Sequence, residues 1–517
     1  MNAAVEPVEH VAQTAQAGQL FGSKPRWQLA LLVVIFAIGL GIRLYDLKDL
    51  PLDFHAVRQL RSALIARSVY YQVNPKIDPA LRQQALDTSN LEIYEPPILE
   101  EIVGLTYQVI GSEQLWISRI YTSICWLIGG LALYGLAKRF FSFDALVVGL
   151  GFYFYLPFSV IASRSFQPDP WMVMWILVFA YTLNRWRETP SWKWALLTGL
   201  AGGMAILVKV FAGFFVAGML AAVVLATLGF RRTFRSLQVW AMTGIILAPS
   251  IVYYLFMLKD RASDFFSFWT LGLGKMIFTS NFYADWIAMV TGLMGMTVVV
   301  AALLGMFMAP KALKPFLFGL WAGYVLFGLS SAYQFTTHEY YHLGLVPLVA
   351  LSAMPLVETV MRKITQQPRF WRLMALVILL FSAAYYLYIT RSQMVASNFK
   401  NEGVAWKRVG EAIPLGAHFV ALTDDYGMRL RYFGWRTPTA YWPSTADLNL
   451  SSLSGNAPMQ YDEAFKDAIA GKQYFLVTAY GELDAQPQLK ELLTTHYPVY
   501  KEGDGYTLYD LTKPITP

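Results

Sequence analysis

The stretch best furnished for chemistry is Pro51-Leu-Asp53-Phe-His55-Ala-Val-Arg58, where a carboxylate is followed within five positions by an imidazole and a guanidinium. A carboxylate there could take a proton from an attacking nucleophile. Cations nearby could hold a phosphate as its charge develops, and Arg58, Arg61, Arg164, Lys209 and Lys275 are the candidates. Asp just ahead of a helix is equally a common N-cap, and one residue can do both. Asp169 stands before Pro170 in Ser163-Arg-Ser-Phe-Gln-Pro-Asp-Pro170, where Asp-Pro is also an ordinary helix start. Lys209 lies between two apolar runs in GGMAILVKVFAGF with almost no loop. Such a cation is costly unless it is paired or snorkels, and its functional use would be to bind phosphate. Tyr94-Glu95-Pro-Pro97 reads as a helix-start turn, with Glu95 as a candidate substrate contact.

A different chemistry is written at His338-Glu-Tyr-Tyr-His342. On an α-helix, H-E-x-x-H puts two imidazoles on one face as zinc ligands, with Glu339 as general base. An intramembrane metalloprotease is therefore an alternative reading. The same residues at the mouth of a span could instead anchor it at the interface, with Tyr340, Tyr341, His338 and His342 donating to a lipid phosphate and the histidines, like His55, as candidate substrate contacts. A divalent site would need Asp53, His55, His338 and His342 to converge.

The elements that must position these residues are apolar. The chain is 56% hydrophobic and 15% charged, with mean hydropathy +0.42. Soluble domains carry about 25% charged residues, so this composition excludes one water-soluble core. Apolar runs fall near 27–45, 115–137, 143–163, 171–185, 193–208, 211–229, 237–258, 284–308, 315–332, 342–361 and 370–390, predicting about eleven transmembrane helices. The net charge of +7 does not point to nucleic acid, because most Lys and Arg lie in short loops between these runs. No Gly-rich phosphate loop is present. The single cysteine, Cys125, rules out an internal disulfide.

Lys138/Arg139, Arg185/Arg187/Lys193, Arg231/Arg232/Arg235, Lys311/Lys314 and Arg362/Lys363/Arg369/Arg372 occupy every second connection. The positive-inside rule then predicts a cytoplasmic N-terminus and an external C-terminus, with Asp53, Asp169, Lys209 and His338–His342 on one external face. Residues 1–26 read as a disordered cytoplasmic tail and 27–390 as the membrane module. Within that module, 46–114 is a first external loop holding two interface-plane helices at 55–71 and 97–110, joined by a polar loop. From 391 to 517 helical stretches (402–412, 461–471, 486–495) alternate with strand-like ones (417–423, 473–478, 505–510). This predicts a small external α/β domain with a mostly parallel sheet. The acids Asp424-Asp425 after its first strand read as solvated.

Taken together, the order of these features resembles the GT-C superfamily of polyprenyl-phosphate-dependent glycosyltransferases, in particular the branch of protein O-mannosyltransferases and lipid A aminoarabinose transferases. The resemblance rests on Gly41-Ile-Arg-Leu-Tyr-Asp-Leu47 closing the first span, the loop acid Asp53, two interface helices and Pro96-Pro97. It continues through Phe166-Gln-Pro-Asp-Pro170, Lys209 in LVKVFAG, and Tyr340-Tyr341 before Leu345-Val-Pro347. It implies inverting transfer at the external face of a cell membrane, with Asp53 as catalytic carboxylate and Asp169 as a second acidic site residue. Lys209 and Tyr340/Tyr341 would lie by the donor phosphate. Relatives commonly carry Asp-Glu where this chain has Asp53-Phe54-His55. Aminoarabinose transferases have Lys where this chain has Glu95, which shifts phosphate binding toward Arg58 and Lys209. The implied partners are a lipid-linked sugar donor, membrane lipids and an acceptor that is a lipid, protein or glycan, with no cofactor required. A lipid or glycan carrier of the same architecture without chemistry is the non-enzyme alternative.

Overall fold

The computed structural model describes residues 19–258 and 266–515. Most of the expected tail, and seven residues of the loop before Lys275, lie outside them. By internal contacts the chain divides into two units. The first holds residues up to Leu47, Tyr94–Pro96 and Ser118–Ala396; the second holds Lys48–Ile93, Pro97–Ile117 and Ser397–Pro517.

In the first unit every apolar run is helical. Among the described residues, five helices are long and apolar enough to cross a membrane: Pro25–Arg43, Trp116–Ala137, Leu237–Met257, Glu339–Thr365 and Arg369–Ala396. Two bent pairs raise this to seven if each counts as one span. The protein is an integral membrane protein. The expected single span over 284–308 is instead two helices, Ser280–Met294 and Met296–Met308, meeting at 95°. The break falls at Gly295, whose φ of +80° is readily adopted by glycine alone. A gentler bend of 56° separates Phe143–Tyr155 from Pro157–Ser163, where Pro157 supplies no N–H to continue the ladder.

Without water to drive them together, membrane helices associate through close packing and buried hydrogen bonds. Both devices are present. Gly218 on the Ala212–Leu228 helix and Gly319 on the Lys314–Ser330 helix bring two backbones together: a Cβ built at 319 would sit 2.5 Å from the Gly218 carbonyl. Arg43 ends the first helix fully buried. It donates to the Gly39 and Phe154 carbonyls (2.7 and 3.0 Å) and to Ser163 and Ser159 Oγ (2.8 and 3.3 Å). The chain then turns at Asp46, φ +48°, whose carbonyl accepts from Arg119 (3.3 Å) and Arg164 (3.2 Å).

The second unit joins the first-loop helices to the C-terminal domain. Ala56–Val73 and Ile98–Ile110 form as expected, but the intervening polar stretch also contains a helix, Pro79–Thr88. Asp78 caps it, accepting from the amides of Ala80 (2.9 Å) and Leu81 (3.1 Å), with Pro79 in the first turn. The two longer helices differ from expectation in burial. Ala56–Val73 buries residues around much of its circumference, Gln59, Leu60, Ala63 and Arg67 among them, so it is a packed helix and not one lying half in lipid. Ile98–Ile110 does leave an apolar stripe open at Ile102, Leu105 and Val109, as an interface helix requires.

The C-terminal sheet has order β2-β1-β3-β5-β4, with β1 at Phe419–Leu422, β2 at Ala440–Tyr441, β3 at Tyr474–Val477, β4 at Val499–Gly503 and β5 at Tyr506–Asp510. It is mixed and not mostly parallel: β2, β1 and β3 are parallel, while β5 runs antiparallel to β3 and β4 antiparallel to β5. The reason is local. Asp504-Gly505 joins β4 to β5, and Gly505 (φ +79°) makes a two-residue hairpin turn.

Arg67 ties the loop helices to this domain. Its Nε donates to Glu113 (3.0 and 3.2 Å), its Nη1 to the Tyr432 carbonyl (2.8 Å), and its guanidinium lies over the Tyr432 and Trp435 rings (4.0 and 4.3 Å). Burial disfavours the charge on Arg67, but Glu113 outweighs it and holds the pKa above its ordinary value.

Gly319→Leu should destabilise the purified full chain by about 1–3 kcal/mol for overpacking a tight contact, seen as a lower thermal midpoint. Gly292→Leu, where an added side chain meets open space, should leave it unchanged. Equal effects from the two would refute the close crossing.

Candidate functional site

Two of the singled-out residues meet in the first unit. Asp169 opens the Asp169–Glu188 helix as its first residue, behind Pro168 at the N-cap position. It therefore does not cap; it adds negative charge where the helix dipole favours it. Lys209 terminates the Trp192–Val208 helix in extended geometry (φ −156°, ψ 119°). Its Nζ bonds Asp169 Oδ1 at 2.7 Å, with both side chains buried. The sequence alternatives were pairing or snorkelling, and pairing is what the fold shows. The second carboxylate oxygen, Oδ2, is buried without a hydrogen-bond partner.

The same ammonium lies over two aromatic faces, 4.9 Å from the Tyr340 ring and 4.8 Å from that of Tyr341. Cation–π attraction strengthens when the cation is desolvated. Phe211 and Phe327 back Tyr341, each with centroids 5.6 Å away, so its ring is held in place. Glu95 belongs to this unit as well. It is within electrostatic reach of Tyr254, whose hydroxyl donates to the Leu207 carbonyl (3.2 Å), two residues before Lys209.

The metalloprotease reading fails on geometry. His338 is extended, and Glu339–His342 is a 3-10 turn, which does not place positions i and i+4 on one face. His342 is fully buried, with Nε2 2.9 Å from the Phe335 carbonyl and Nδ1 2.7 Å from the Tyr324 hydroxyl. The carbonyl can only accept, so Nε2 carries the proton and Nδ1 accepts from Tyr324. Tyr324 in turn accepts from Trp286 Nε1 (3.0 Å). The imidazole has no lone pair left for zinc and serves as a structural link. Among the described residues no three His, Cys, Asp or Glu side chains are placed to hold a metal.

Asp53, His55 and Arg58 lie in the second unit. The helix begins at Ala56, with His55 at the N-cap position, so Asp53 is not the cap by position. His55 has φ +47°, an uncommon conformation for a non-glycine residue. Its ring packs edge-on against Phe54 (4.7 Å), while Gln59 Nε2 donates to the Phe54 carbonyl (2.6 Å). All three side chains are half-buried. Strained backbone of this kind gathers at functional sites. Arg164, considered above as a phosphate partner, is buried and spends its guanidinium on the Asp46 carbonyl and Met394 Sδ. Lys275 is exposed.

Residues 94–259 match the family described as dolichyl-phosphate-mannose-protein mannosyltransferase. This match spans Glu95, Asp169 and Lys209 and leaves out Asp53 and Tyr340-Tyr341. Among solved structures, ArnT from Cupriavidus metallidurans bound to undecaprenyl phosphate is similar over 92% of this chain and 97% of its own, with TM-score 0.56 at 14% identity. The Archaeoglobus fulgidus oligosaccharyltransferase tethered with an acceptor peptide is similar over 94% and 74%, with TM-score 0.53 at 14% identity. The chain has the GT-C fold. The apo state of ArnT gives the same result (TM-score 0.55). A search of curated protein sequences gave no match. Within this fold, sequence reasoning missed Gln167, which is fully buried with both amide atoms unpartnered. Its position beside Pro168-Asp169 was the available signal.

Lys209→Met should destabilise the purified protein by roughly 3–5 kcal/mol, because it strands the Asp169 charge. Adding Asp169→Leu should recover much of that loss in thermal melting. If the double variant melts no higher than Lys209→Met alone, the ion pair is not what holds these two helices.

Proposed function

We propose that the protein is a membrane glycosyltransferase that moves a sugar from a polyprenyl-phosphate donor to an acceptor outside the cytoplasm. The observation that carries this reading is Lys209, buried in an apolar bundle, compensated by one oxygen of Asp169 and faced by two tyrosines, in a GT-C fold. A desolvated ammonium beside phenolic donors is a good seat for the phosphate of a lipid. Asp169 keeps the ammonium charged and placed while no phosphate is bound.

Asp53 serves as the general base. It accepts the acceptor's proton as the oxygen or nitrogen nucleophile attacks the sugar's anomeric carbon, while the lipid phosphate leaves from the opposite side, which inverts the centre. His55 and Arg58 are the titratable and charged residues that follow it most closely in sequence. The lysines and arginines in alternate connections support placing this chemistry on the external face. The chain's likeness to an ArnT structure holding undecaprenyl phosphate supports a lipid-phosphate donor. No cofactor is required on this reading.

In the reconstituted full chain, Asp53→Asn should cut release of free polyprenyl phosphate from a lipid-linked sugar about 100-fold or more, the usual weight of a general base. Binding of the bare lipid phosphate should persist. Lys209→Ala should instead weaken that binding about 10-fold or more, as expected for a charged hydrogen bond. Full turnover in Asp53→Asn would refute the assigned base.

A further inference from the structure

The turn before the Asp169–Glu188 helix and the helix's first residue hold three buried polar atoms without partners: Gln167 Oε1, Gln167 Nε2 and Asp169 Oδ2. Gln167 is 0% exposed, yet only its backbone is engaged, its amide donating to the Ser165 carbonyl (2.9 Å). Leaving a buried polar group unmatched is costly, and more so where no water competes. A fold that tolerates three within three residues keeps them for something that binds. Their types restrict what that is. Two of the three are acceptors and need a donor, which a phosphate cannot supply, and its charge would be repelled by Asp169 Oδ2. The third is an amide that donates. A group carrying hydroxyls, each able to donate and to accept, offers what each of the three lacks.

We propose that Gln167 and the second oxygen of Asp169 read the hydroxyl groups of a substrate, most directly the ring of the donor sugar, beside the cation that holds its phosphate. The division of labour is chemical: Lys209 takes the anion and Gln167 takes the neutral, hydroxyl-rich part. This inference rests on the proposed lipid-phosphate donor, and its test keeps the two apart.

Binding of a short polyprenyl phosphate, and of the same lipid carrying a single hexose or pentose, is measured on the purified full chain and on Gln167→Met. The substitution preserves shape and removes both hydrogen-bonding atoms. Gln167→Met should bind the bare lipid phosphate as the unaltered protein does and bind the preferred glycosylated lipid about 10-fold more weakly, the weight of one or two neutral hydrogen bonds. If donor binding is unchanged but transfer falls with a raised acceptor KM, the hydroxyl belongs to the acceptor and the hydroxyl-reading role stands. Equal loss for both lipids, or no change in binding or transfer, overturns the inference and assigns Gln167 to packing or to a trapped water. Should Gln167→Met fail to fold, Gln167→Glu, which keeps the acceptors and loses the donor, must still separate the two lipids or the inference falls. An unaltered protein that binds neither lipid would refute the proposed donor, and the reading of Gln167 that rests on it falls with it.

Discussion

An ammonium held away from water between two helix ends is the constraint on which the membrane unit depends. Lys209 and Asp169 are buried 2.7 Å apart, and each charge offsets part of the other's loss of water. A buried ion pair returns little net stability once desolvation is counted, so stability alone gives a poor reason to keep it. Its geometry supplies a better one. The pair leaves one carboxylate oxygen unmatched and places the cation against two tyrosine faces, the arrangement on which the proposed phosphate site rests.

The surrounding fold supplies rigidity. Lys209 ends one helix and Asp169 begins another, so both are fixed by regular backbone hydrogen bonding. The Tyr340-Tyr341 segment is a short 3-10 turn anchored by His342, whose two nitrogens are engaged by Tyr324 and Phe335. Glycine-to-glycine contact holds the Ala212–Leu228 and Lys314–Ser330 helices together just beyond Lys209. In the other unit, Arg67 performs the equivalent service for the helix that follows Asp53, binding it to Glu113 and to the C-terminal domain.

Much of this was legible in the amino-acid sequence because its signals are strong and local. Apolar runs become helices wherever backbone groups lack water, and the strands at Phe419–Leu422, Tyr474–Val477 and Tyr506–Asp510 fall where alternating stretches put them. What escaped depends on single residues with conformational consequences. Gly295 turns one expected span into two helices at 95°, Asp78-Pro79 starts a helix in a polar loop, and Asp504-Gly505 makes the sheet mixed. At the site, the order of motifs drew attention to Asp169, Lys209 and the two tyrosines, but the pairing of lysine with that aspartate is a tertiary fact. His338-Glu-Tyr-Tyr-His342 misled for the opposite reason: its spacing has chemical meaning only on an α-helix, and the chain is not α-helical there.

The most direct measurement is an experimental structure of the full chain in lipid with a non-transferable polyprenyl-phosphate sugar bound. The account requires the phosphate to lie against Lys209 Nζ and the Tyr340 and Tyr341 hydroxyls, with the Lys209–Asp169 pair loosened or shared. A phosphate bound elsewhere, with that pair closed as it is here, would contradict it.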